Sequence, residues 1–144
     1  MSSFARQVPR LFWLVSALLL LWDAVGLFAF YSHLTVDQPA LAAMPVYDRQ
    51  YYIALPGWFV YVFALAVLPA FAGAVALLMR FRVAWMFSLL SLVGVAAQFG
   101  WSLGATDIVA AKGLAAAGLP LVIVALALFQ LWFATRAARR GWLR

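Results

Sequence analysis

Three carboxyl or amide side chains interrupt the long apolar runs of this 144-residue chain: Asp23 in LLLLWDAVGLFAFY, Gln98 in SLVGVAAQFG and Gln130 in ALALFQLWFA. An acid inside hydrocarbon is costly, and by default it marks a functional position. It can carry a proton, line a polar path, or hold a hydrogen bond across a helix bundle. Ser16, Asp23, Gly26 and His33 fall on one helical face at steps of seven, three and seven. Ser88, Ser91, Gly94, Gln98 and Ser102 define a second face at steps of three and four. In lipid, such small and polar faces turn toward the bundle interior. The expected cluster is therefore Asp23, Gln98, Ser16 and Ser91, with His33 at its outer mouth. Asp23 lies about 20 Å above Arg10, and Gln98 about 22 Å above Val83, at 1.5 Å per residue. The two are thus level. No Lys or Arg lies within the spans, so Asp23 is expected to be neutral and bonded to Gln98. Gln130 is expected as a separate, shallower contact.

No catalytic constellation accompanies these groups. The chain has one histidine and no cysteine. Thiolate nucleophiles, iron–sulfur clusters and cysteine-based zinc sites are excluded, and no paired acid and base is visible. No metal and no cofactor is expected.

The elements that position the polar groups follow from composition. Hydrophobic residues make up 69% of the chain and charged ones only 10%. A soluble domain cannot cover that much apolar surface with so little charge. A hydrocarbon core of about 30 Å requires roughly 20 apolar residues per helix. Four runs meet that length, at about 11–31, 56–79, 83–103 and 114–135. The predicted fold is an all-α, four-transmembrane-helix antiparallel bundle forming one integral membrane domain. The first run is read as a retained helix and not as a cleaved signal.

Net charge is +6, but its distribution argues for topology and not for nucleic acid. Arg6, Arg10, Arg80, Arg82, Arg136, Arg139, Arg140 and Arg144 fall at one end of a four-helix zigzag; Arg49 and Lys112 fall at the other. The basic end should be cytoplasmic, with both termini inside a bacterial inner membrane. The lipid bilayer is the first partner, and the basic tail can also meet anionic headgroups.

Between the first two spans, Thr35 or Asp37 followed by Pro39 signals a short helix, and Pro45 and Pro56 bound a second. With Tyr47, Tyr51, Tyr52 and Trp58, this segment should form an interfacial helical cap. Asp107 can cap a half-turn before the last span, and Pro69 and Pro120 should bend their helices. Ala66, Ala70 and Ala74, with Gly73, offer a small-residue packing edge.

The chain resembles a group of short bacterial inner-membrane proteins often named "sugar transporter" without characterised activity. The matching features are Trp22-Asp23 with Gly26, Tyr52 with Pro56 and Trp58, FALAV at 63–67 and SLVGVAAQ at 91–98. That group more often carries Asn where this chain has Asp23, which implies a hydrogen-bonding role there. The expected function is a non-catalytic accessory, scaffold or assembly subunit, within a homo-oligomer or larger membrane complex. The alternative is an oligomeric transporter or channel for a small polar solute, its path lined by Asp23 and Gln98.

Overall fold

The computed structural model describes residues 7–144; Arg6 lies outside the described residues. The chain is all-helical, with four helices long and apolar enough to cross a membrane. They are α1 (Arg10–Leu34), α4 (Phe59–Leu78), α5 (Ala84–Ala105) and α7 (Gly118–Arg139). A 3-10 turn, Leu114–Ala117, leads directly into α7. Short helices α2 (Gln38–Ala43), α3 (Val46–Ala54) and α6 (Ile108–Lys112) lie in the connections at one end. All four expected spans are present. The fourth runs to Arg139 and not to Thr135, because basic residues are favourable in the last turn of a helix.

Helix α1 packs on α4, α4 on α5, and α5 on α7, but α1 and α7 do not pack closely along their length. The closest approach is between α4 and α5. The predicted small-residue edge explains it: Ala66, Ala70, Gly73 and Ala74 are all buried. Gly94 meets this edge from α5. A Cβ at Gly94 would lie 2.5 Å from the Ala66 amide nitrogen and 2.7 Å from the Leu65 carbonyl carbon. Leu65 is also the carbonyl that loses its helical donor to Pro69. Pro120 falls in the first turn of α7, where a missing N–H costs nothing.

The cap is helical as expected. Asp37 caps α2, accepting from the Ala40 amide at 2.8 Å, and Pro39 occupies the first turn. Helix α3 is fastened by its tyrosines. Tyr52 donates to the His33 carbonyl at 2.7 Å, Tyr51 to Ser102 Oγ at 3.0 Å, and Tyr47 to Asp107 Oδ1 at 2.8 Å. Asp48 pairs with Lys112. Desolvation and the Asp107 carboxylate push the Tyr47 phenol up to about 12, so it remains a donor at neutral pH. The Asp107 side chain thus anchors the cap and makes no capping bond to α6.

The opposite end closes by a device not expected from the sequence. Helix α7 ends in a Schellman turn at Gly141 (φ 72°), with Trp142 N–H bonded to Ala137 O at 3.0 Å. Helix α4 ends in the same turn, with Arg80 in the left-handed region at φ 61°. The two turns bind each other. Arg82 N–H donates to Arg144 O at 2.9 Å, Arg144 N–H to Arg80 O at 2.6 Å, and Arg80 Nε to Trp142 O at 2.7 Å. These bonds hold Arg80 in a conformation that otherwise disfavours a side chain. They also place Leu143 in the core with Phe12, Leu77, Phe133 and Ala137.

Candidate functional site

Between these two ends lies a cavity of about 300 Å³, lined by all four long helices. Asp23 and Gly26 reach it from α1, Ala66 and Ala70 from α4, and Ser91 and Gln98 from α5. Helix α7 contributes one stripe, which includes Leu119, Ile123, Ala127 and Gln130. The volume is at the small end of the range for ligand pockets, about 300–1,000 Å³. Most of the wall is aliphatic or aromatic.

The depth arithmetic brings Asp23, Gln98 and Ser91 to one cavity, but not through the expected bond. No hydrogen bond joins Asp23 to Gln98. The side chain that approaches the Asp23 carboxyl group is Gln130. Gln130 is therefore part of the same cluster and not a separate, shallower contact. Because α7 continues to Arg139, Gln130 stands about 14 Å from its C-terminal end, deeper than a helix ending at Thr135 allows. Ser16 is not in the cluster. It is fully buried nearer the arginine-rich end, its hydroxyl without a partner. His33 does not line the cavity either. Its ring sits among Tyr52, Phe59 and Phe63, at centroid distances of 5.1, 6.1 and 5.4 Å. With Trp101, 5.6 Å from Phe59, these rings form an aromatic layer between the cavity and the cap.

Two polar side chains of the cavity are committed to α4. Ser91 Oγ donates to Ala66 O at 2.5 Å, and Gln130 Nε2 to Ala70 O at 2.9 Å. The accepting carbonyls are four residues apart, on the face of α4 turned to the cavity. Two others are not committed. Gln98, 7% exposed, makes no side-chain hydrogen bond among the described residues. Asp23 is 6% exposed, and its Oδ2 is buried without a partner. An unsatisfied buried polar atom of this kind is rare and calls for an explanation.

The cavity has one weak wall. No residue of α7 from Gly118 to Phe129 is buried, although its C-terminal half is packed through Phe133, Ala134 and Ala137. Val25 on α1 and Leu119 on α7 line the cavity yet are 60% and 64% exposed. The cavity therefore reaches the bundle surface along the seam between α1 and α7. In a membrane that seam faces lipid.

Among the described residues no group of His, Cys, Asp and Glu is arranged to hold a metal. No protein-family model, no curated protein and no solved structure matches this chain.

Proposed function

We propose that this multi-pass membrane protein is a non-catalytic, non-conducting accessory or assembly subunit of a bacterial inner membrane, with both termini cytoplasmic. One observation carries the reading: packed side chains stand along the bundle axis on both sides of the cavity. Toward the cap stand Phe59, 6% exposed, and the rings around it. Toward the basic end stand Phe12, 1% exposed, Leu77 and the inserted Leu143. Each end is built from several fastened elements, and neither is a single mobile side chain. A conduit for a polar solute requires water at one end of its binding site, and the packed rings and Leu143 argue against such access.

The orientation rests on charge. The described arginines at positions 10, 80, 82, 136, 139, 140 and 144 gather at the plugged end, while Arg49 and Lys112 belong to the cap. That asymmetry favours the plugged end in the cytoplasm. Side-specific labelling of a cysteine introduced at each end reads this orientation directly.

A reconstitution experiment tests the non-conducting reading. Sealed vesicles carrying the purified protein are loaded with a small sugar and potassium ion. Release is expected to match that of protein-free vesicles. Release that exceeds it and disappears in Asp23→Asn would overturn the reading in favour of an oligomeric transporter.

A further inference from the structure

We propose that the cavity between α1, α4, α5 and α7 binds a lipophilic ammonium ion that enters from the bilayer along the α1–α7 seam. The inference goes beyond the accessory role, which needs no ligand.

Charge selects the ligand class. Asp23 Oδ2 is a buried acceptor with no partner. The uncommitted Gln98 side chain offers a carbonyl acceptor beside its amide donors. An ammonium head can donate to both oxygens. Its positive charge also allows the buried Asp23 side chain to ionise, since no Lys, Arg or His lines the cavity. The remaining wall suits a lipophilic cation. Trp22, Phe63 and Phe99 offer aromatic surface, which attracts cations when desolvated. The aliphatic stripe of α7 offers room for an alkyl body. Packed side chains stand at both ends along the axis, whereas exposed Val25 and Leu119 border a side opening.

The test uses n-octylamine and its uncharged counterpart 1-octanol. Each is titrated calorimetrically into the full-length protein in nanodiscs of zwitterionic lipid, with empty nanodiscs as the blank for partitioning. The wild type is expected to bind one octylamine per chain and to bind octanol at least about tenfold more weakly. Asp23→Asn is expected to weaken octylamine at least about thirtyfold, the lower end of the cost of deleting one partner of a desolvated charge pair. It should leave octanol binding unchanged. Ala127→Phe places a ring in the cavity from α7 and leaves Asp23 intact; it is expected to remove saturable octylamine binding. This second variant keeps the test decisive should Asp23→Asn fail to fold. Equal affinity for amine and alcohol in the wild type would overturn the proposal. So would undiminished amine binding in a folded Asp23→Asn, or in Ala127→Phe. Failure here leaves the vesicle-release result untouched, so the two readings fall separately.

Discussion

Gly94→Ala is expected to destabilise the bundle by about 3 kcal/mol, the upper part of the usual range for overpacking a core. The atoms that the new methyl group would meet are backbone: Ala66 N at 2.5 Å, Leu65 C at 2.7 Å and Ala66 Cα at 2.9 Å. A flexible side chain could swing aside, but a helix backbone must translate. Moving α5 away from α4 also stretches the Ser91–Ala66 bond, which lies one turn away. Gly100 provides the control. It lies in the same helix with nothing within 4 Å of its Cβ position. Gly100→Ala should gain up to about 1 kcal/mol from helix propensity alone. Unfolding by titration with a denaturing detergent measures both variants. Equal stability of the two would mean that α4 and α5 are not in backbone contact.

Phe12→Ala is expected to cost about 3–5 kcal/mol, as for other fully buried aromatic residues. Phe12 links parts of the arginine-rich end that otherwise touch little. Its ring stacks on Phe133 of α7 at 5.7 Å and meets Trp142 of the tail edge-on at 5.8 Å. Because α1 and α7 do not pack closely along their length, this cluster carries much of their contact. Leu11→Ala, at a neighbouring position 65% exposed, should change stability far less. The same unfolding titration distinguishes them. A small loss for Phe12→Ala would show that α1 is held by α4 alone.

The sequence made the spans legible because run length against bilayer thickness is a strong constraint. Their limits agree with the helices within a few residues at most ends. The common cavity of Asp23 and Gln98 was legible for the same reason: rise per residue fixes depth when two helices start at one surface. Pro39, Pro45 and Pro56 marked the cap helices through fixed φ and a missing donor. Gln130 lies deeper than the end of the apolar run suggests, because arginines continue α7 past that end. Asp23 is consequently approached by Gln130 and not by the expected Gln98. The choice between Gln98 and Gln130 depends on helix rotation, which depth alone does not fix. The tail was half legible. Gly141 after a basic last turn, followed by Trp142, is a helix-stop signal. Its pairing with residues 80–82 was not legible, because it depends on Arg80 adopting a left-handed conformation that no pattern in RFR announces. His33 remained outside the cavity because the aromatic rings around it fill the space a mouth would need.

Cysteine accessibility tests the central claim, that the Asp23 cavity is shut to water from both sides. The chain has no cysteine, so one introduced thiol reports alone. Three single variants are exposed to a charged, impermeant maleimide in sealed membranes of each orientation. Arg49→Cys, in the cap, is expected to label only from outside, and Arg139→Cys, at the end of α7, only from the cytoplasmic side. Ala127→Cys, in the cavity wall, is expected to label from neither side and to become reactive only after unfolding. Labelling of Ala127→Cys in the folded protein from either side would contradict the closed cavity and the non-conducting function built on it.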